Sequence, residues 1–436
     1  QCFFFWRTLT KLYELGDLTE KNDALTNAIA HNFEHSNEGF MAALCALKTT
    51  GIKDACELVI ILFDRDFDGK VTKKDLYYHF NSAIPSDTKD VEKEFAKYLS
   101  IENSLAVTSG TAALRVALAA LGIGEDDEVI TQSFTFVATL EAIIESNATP
   151  VCTEIDNTLN MDPIDLEKKI TPKTKAVIVV HMLGTPAKLK EIKDICKRYN
   201  LFLIEDTAWG CGGSLEDKKL GTWGDIGTFS FDFAKTITTG EGGMIVFKDK
   251  EIREKAAAWH DHGHENNPNF PRWEDTRSMS GFNFRMSELQ GAIGLAQLKK
   301  LDYIVKKQRE NKSFFWDQIK DINEVKLRTA PEGSYETCDA LVFSLSDKKR
   351  ALKCRLELNK LGMATKILPE AYTWHFAGSF FHMENFIKKD NFKLSQAFQK
   401  SREILDKTIS IPIQVKMDYS KAVLLKSAIE ESLLNG

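Results

Sequence analysis

The chain has no excess of positive charge, no long apolar run and no paired cysteines. It carries 57 Lys and Arg against 63 Asp and Glu, a net charge of −6. That balance gives no reason to expect nucleic acid or an anionic membrane as a partner. No apolar stretch approaches the roughly 20 residues of a membrane span. The greasy start, Gln1 to Trp6, is broken at once by Arg7, is too short for a signal-peptide core and has no basic region before it. The eight cysteines are scattered and none forms a CxxC pair. This argues against a zinc site or a disulfide framework and fits a reducing, cytoplasmic setting.

What is present is the composition of a globular protein, 43% hydrophobic and 28% charged over 436 residues. The length calls for more than one core. Three parts are expected: a helical module over 1–87, a large α/β domain over 88–325 and a small α/β domain over 326–436. The first part holds one distinctive loop, Asp64-Arg65-Asp66-Phe67-Asp68-Gly69-Lys70-Val71-Thr72-Lys73-Lys74-Asp75. It has the D-x-D-x-D-G pattern of an EF-hand. Asp64, Asp66 and Asp68 would supply side-chain oxygens, Lys70 its backbone carbonyl, and Asp75 the closing ligand to Ca²⁺ or Mg²⁺. Asp75 stands where the pattern has a longer, bidentate Glu, so weaker Ca²⁺ binding is expected. No second such loop occurs in the sequence, although EF-hands usually pair. A solvated acidic turn is the alternative.

From residue 88 the pattern changes. Ala176 to His181 and Leu201 to Asp206 are continuous apolar runs, as parallel strands covered on both faces require. Helical stretches such as Ala187 to Tyr199 lie between them, giving a βα alternation. Ligands of such sheets bind at the carboxyl ends of the strands. Four chemically useful groups sit at such ends: Ser109 with Gly110 and Thr111, Phe136, Asp206, and Lys235 following Ser230. A lysine there can lose its charge through burial and form a Schiff base. A carboxylate can hold a pyridine nitrogen protonated, a Gly-containing helix start can cradle a phosphate, and an aromatic face suits a ring. Together they suggest pyridoxal 5'-phosphate. A surface lysine and ordinary capping residues are the bland alternative for each group taken alone.

Residues 88–436 also resemble the DegT/DnrJ/StrS family of sugar aminotransferases. The resemblance rests on Ser109-Gly110-Thr111-Ala112-Ala113-Leu114, Thr135-Phe136-Val137-Ala138-Thr139, Glu205-Asp206, Ser230-Phe231 with Lys235, Gly240-Glu241-Gly242-Gly243 and Phe282-Asn283-Phe284-Arg285-Met286-Ser287-Glu288. It implies the aspartate-aminotransferase (type I) fold of pyridoxal phosphate enzymes, with Lys235 as the catalytic residue. It further implies that Phe136 stacks on the cofactor ring, Asp206 meets its nitrogen, and Gly110, Thr111 and Ser230 hold its phosphate. Asn283 would reach the phosphate of a neighbouring subunit, in a homodimer with shared sites. Family members that are dehydratases carry histidine in place of the lysine. Trp209 departs from the family, which commonly has glutamine there.

His181-Met182, Thr236 to Gly243 and Asp261 to His264 resemble most the members that make 8-amino-3,8-dideoxy-octulosonate, a lipopolysaccharide sugar, with glutamate as the expected donor. A nucleotide-linked 4-keto-6-deoxyhexose is the alternative substrate. A calcium-responsive binding protein with a vestigial cofactor site is the alternative from another class. His260-Asp261-His262-Gly263-His264-Glu265 invites a metal reading, but alternating ligands in a loop do not by themselves build a tetrahedral site. Asn266 to Ser280 reads as a mobile loop over the pocket. Trp374-His375 is expected either at the substrate or as a packed aromatic pair.

Overall fold

A computed structural model describes residues 87–434, apart from 268, 271, 370, 371 and 388–392. The expected helical module over 1–87 and its loop residues Asp64, Asp66, Asp68, Lys70 and Asp75 lie outside the described residues, save Asp87. Helix α1 (Asp87–Leu99) leads in. The strands of the central sheet are β1 (Asn103–Val107), β2 (Glu128–Gln132), β3 (Thr149–Thr153), β4 (Thr174–Val180), β5 (Phe202–Asp206), β6 (Ile226–Ser230) and β7 (Gly243–Phe247). Their order across the sheet is β1-β7-β6-β5-β4-β2-β3. Only β7 runs against the rest, pairing antiparallel with both β1 and β6.

The strands are buried because they are sandwiched. In β7, Ile245 and Phe247 join one core with helix α2 (Gly110–Ala120), while Met244 and Val246 join another with Val91, Phe95 and Leu99 of α1. In β4, Ala176 and Ile178 face the first side, and Val177 and Val179 face a third cluster with Leu189 and Ile192. Alternate residues meet opposite layers, so both faces must be apolar. β3 was not legible as a strand. Its Pro150 cannot donate to a ladder, but β3 is an edge strand, where that loss is tolerated.

Beyond the central sheet, β8 (Ala340–Ser344) and β9 (Thr408–Pro412) pair antiparallel over a separate core. Phe343, Leu358, Ile409 and Ile429 fill it, from the two strands and from helices Lys348–Lys360 and Lys421–Leu433. One piece of that region reaches back to the large sheet. Ala377 N–H donates to the Ser133 carbonyl at 2.7 Å and Thr135 N–H to the His375 carbonyl at 3.0 Å. No helix among the described residues is long and apolar enough to cross a membrane.

Candidate active site

The register of three strands assembles the first part of the site. Val107 of β1 lies opposite Gly243 of β7, and Gly243 lies opposite Ser230 of β6. Residues more than a hundred positions apart therefore share one row. Ser109 caps α2, its hydroxyl accepting from Ala112 N–H at 3.0 Å. The next residue must pass tightly over β6. A Cβ on Gly110 would sit 2.7 Å from Ser230 Cβ, and one on Gly243 would sit 2.5 Å from the Ser109 carbonyl. Both glycines are thus required by close approach. Thr111 is exposed at the open start of α2, whose first turn carries no acidic residue. Free N–H groups and the positive end of the helix dipole make this cradle fit a phosphate.

Asp206 ends β5 and is buried. Thr139 Oγ donates to its Oδ2 at 3.0 Å, Ala208 N–H donates to its Oδ1 at 3.2 Å, and Thr135 Oγ lies 2.8 Å from Thr139 Oγ. Burial raises the Asp206 pKa despite these bonds and the pull of Lys235. Thr139 belongs to a helix, Val137–Ile144, whose N-cap position is Phe136. Phe136 keeps 39% of its surface exposed, and its ring centroid is 5.3 Å from that of His375. A large apolar ring left open at the start of the helix whose Thr139 bonds Asp206 is an available stacking face.

Lys235 rides on the loop between β6 and β7. That loop is closed at its base, where Phe231 N–H donates to the Gly242 carbonyl and Thr239 N–H to the Phe231 carbonyl, both at 2.9 Å. Lys235 N–H donates to the Asp232 carbonyl at 3.0 Å. The ammonium lies 3.7 Å from the centroid of the Trp209 ring, a cation–π contact. Desolvation lowers its pKa, opposed by Asp206 and Asp232. Burial thus pushes both Lys235 and Asp206 toward their neutral forms, while each favours the charge of the other. The lysine can attack a carbonyl, and the acid can hold a proton.

Glu205, next to Asp206, points the other way from chemistry. It is fully buried and accepts from the N–H groups of Gly221, Trp223 and Gly224 at 2.9, 2.6 and 2.7 Å. His181 Nε2 lies 3.0 Å away, and Ala187 N–H donates to His181 Nδ1, which fixes the proton on Nε2. Burial opposes the Glu205 charge, but His181 and the N–H groups win and hold its pKa below the usual carboxylate range.

Asn283 precedes Phe284, whose carbonyl accepts from Thr108 N–H at 3.0 Å, and Arg285, which lies opposite Val107. It sits beside Asp261, and its amide oxygen accepts from Arg285 N–H and Nε at 3.3 and 3.1 Å. The His260 to Glu265 segment holds no convergent ligand set, and no metal-binding group of His, Cys, Asp or Glu occurs among the described residues. Asp261 is instead taken by Arg272, through two bonds at 2.9 and 2.7 Å, and by Arg285 at 2.8 Å. Asp275 accepts from Asn266 and Asn267 N–H at 2.8 and 2.9 Å. Two carboxylates thus hold parts of the loop over 266–280, Asp261 through Arg272 and Asp275 through Asn266 and Asn267. Thr139, Asp339 and Lys366 were not singled out from sequence. Only Thr139 left a trace there, as part of a quoted motif. A separate cleft of ≈ 190 Å³, lined by Arg309, Lys312, Trp316 and Glu336, contains none of the strand-end groups.

The chain is similar to known proteins over most of the described residues. The profile of the DegT/DnrJ/EryC1/StrS aminotransferase family matches residues 83–426. A GDP-perosamine synthase from Escherichia coli O157:H7 is 40% identical over 235 residues, 54% of this chain and 63% of that protein. A dTDP-4-dehydro-2,3,6-trideoxy-D-glucose 4-aminotransferase from Saccharopolyspora spinosa is 36% identical over 257 residues, 56% of this chain and 67% of that protein. The chain spans less than two thirds of the length of the GDP-perosamine synthases it matches. An aminotransferase from Psychrobacter cryohalolentis superposes with a TM-score of 0.73 at 24% identity, covering 88% of this chain and 97% of that one. That likeness carries the fold alone, and the fold is that of the aminotransferases expected from the sequence.

Proposed function

Since the chain belongs to the DegT/DnrJ/EryC1/StrS aminotransferase family, we propose that it moves an amino group from an amino acid to a keto or aldehydo sugar. The observation that carries this reading is Lys235, set 3.7 Å from the Trp209 ring on the loop that follows Ser230, the residue against which Gly110 leaves no room for a Cβ. The residues present fit pyridoxal phosphate. Gly110, Thr111 and Ser230 would hold its phosphate, Asp206 its ring nitrogen, Phe136 its ring face and Lys235 its aldehyde carbon. When bound, the cofactor supplies a carbonyl for the amino group and an electron-withdrawing ring. Lys235 does the rest of the proton work. Its Nζ, kept toward the neutral form by burial, takes the proton from the substrate carbon and returns it on the other side of the transfer. Asp206, backed by Thr139 and Thr135, would keep a proton at the ring nitrogen of the bound cofactor. Asn283 of a second copy would complete the phosphate site, so the working unit is a homodimer.

Two sugars compete as acceptor. The likeness to a GDP-perosamine synthase and to a dTDP-sugar 4-aminotransferase favours a nucleotide-linked 4-keto-6-deoxyhexose. The motifs around His181 and His262 favour 8-oxo-3-deoxy-octulosonate. The deciding experiment is the visible spectrum of the protein with pyridoxal phosphate, before and after glutamate, followed by each sugar in turn. Formation of a yellow band, bleaching by glutamate and recovery with one sugar are expected. A protein that stays colourless would remove the enzyme reading and leave the metal loop at Asp64 to Asp75 as its distinguishing feature. In the enzyme reading, that loop binds Ca²⁺ or Mg²⁺ as an accessory site.

A further inference from the structure

Trp209 carries two ammonium groups. Lys235 lies 3.7 Å from its ring centroid, and Lys366 lies 4.8 Å from the same centroid. The two lysines come from different parts of the fold. Trp209 follows β5 of the large sheet, whereas Lys366 is tied to the small sheet, its N–H donating to the Ser410 carbonyl of β9 at 2.7 Å. Thr337 Oγ fixes the indole residue from the same side, donating to the Trp209 carbonyl at 3.0 Å.

The Lys366 ammonium is held in place. It donates to Asp339 Oδ2 at 2.6 Å and reaches the Asp339 carbonyl at 3.3 Å. Asp339 is buried, while the Lys366 side chain keeps 21% of its surface open. An ammonium has three N–H donors. Asp339 and the indole face account for its orientation and leave its open side to solvent. A second cation beside the reactive lysine opposes the positive charge of that lysine, a cost that an anion arriving with substrate would offset.

We propose that Lys366 is a specificity-determining residue that binds the carboxylate of the amino donor. This rests on the aminotransferase reading above. The chemistry selects the donor rather than the acceptor. In an amino acid the α-carboxylate is one carbon from the nitrogen that is transferred, so its receptor must lie close to Lys235. Lys366 meets this condition by sharing one indole with it. An acidic sugar whose carboxylate is at the opposite end from the reacting carbon needs a cation much farther away. Lysine is suited to the task as a point charge, with Asp339 and Trp209 giving it the fixed direction that its own flexible stem lacks. Trp209, the departure from the family pattern, becomes the platform on which both lysines are set.

The test uses the full chain incubated with pyridoxal phosphate, and glutarate as probe. Glutarate has the two carboxylates of glutamate and no amino group to transfer. Calorimetric titration compares wild type with Lys366→Gln, which keeps a donor for Asp339, and with Lys366→Arg, which keeps the charge. Thermal melts check that each variant is folded. Lys366→Gln is expected to weaken glutarate at least tenfold and Lys366→Arg to stay within a few-fold of wild type. The yellow band should form equally in all three. Equal glutarate binding by wild type and Lys366→Gln would overturn the proposal, as would no glutarate binding by wild type. A parallel titration with 3-deoxy-octulosonate separates the two carboxylate sources. If Lys366→Gln weakens only the acidic sugar, the donor assignment fails. Absence of the yellow band in wild type would instead sink the cofactor reading, and the donor assignment of Lys366 with it.

Discussion

Two neighbouring acids at the end of β5 have opposite fates, and the difference is a matter of hydrogen bonds. Asp206 has two donors and is pushed toward the protonated form by burial. Glu205 has three backbone donors and His181, and stays ionised in the interior. Glu205→Gln is expected to cost about 2 kcal/mol at pH 7, since it removes bonds to a charged acceptor. The folded pKa of Glu205 lies below the unfolded 4.5, so its contribution is present above that pH and fades as pH falls through the folded value. Urea unfolding of wild type and variant should therefore converge as the pH drops below 4.5. A gap that stays constant to pH 3 would refute the ionised assignment. Lys235→Ala should keep the fold and lose the yellow band, with turnover down by about a thousandfold or more. Full activity in that variant would end the lysine assignment.

At the scale of elements, the site depends on where α2 begins. Its Ser109 cap and the following glycine bring the helix start down onto β6, where Gly110 leaves no room for a side chain against Ser230. Gly110→Ala must push the helix start off the strand. A strain of about 1–3 kcal/mol is expected from such overpacking. Affinity for pyridoxal phosphate should fall about tenfold or more, while the band position set by Lys235 is unchanged. Fluorescence titration with the cofactor would measure this, and unaltered affinity would remove Gly110 from the cradle.

For the whole molecule, the position of Asn283 is informative. Its amide oxygen accepts from Arg285 of its own chain. Asn283→Ala should weaken the cofactor in the dimer, and dilution to monomer should weaken it in wild type too. Sedimentation velocity paired with absorbance would show whether the two losses coincide. A monomer that keeps full affinity would exclude a shared site. Asp64→Ala should abolish Ca²⁺ uptake by calorimetry and leave the visible band intact. An unchanged titration would show that the loop binds no metal.

Much of this was legible in the sequence because parallel strands buried on both faces declare themselves as apolar runs, and their ends carry the chemistry. Ala176 to Val180 and Phe202 to Asp206 were readable for that reason, as were the order of the motifs and the lysine, acid, ring and cradle. The edge strand β3 was hidden by its proline, and β9 by the polar Thr408 and Ser410 that alternate along it and by its closing Pro412. The sequence by itself determined the fold class and the groups on offer. Tertiary structure alone decided that Val107, Gly243 and Ser230 share a row, that Asn283 lies opposite Asp261, and that Lys366 and Lys235 share the Trp209 ring. Each of these is a pairing between distant segments, set by strand order and by the packing of the small sheet on the large one. Local patterns record which face a residue occupies and carry no trace of which distant residue will lie opposite.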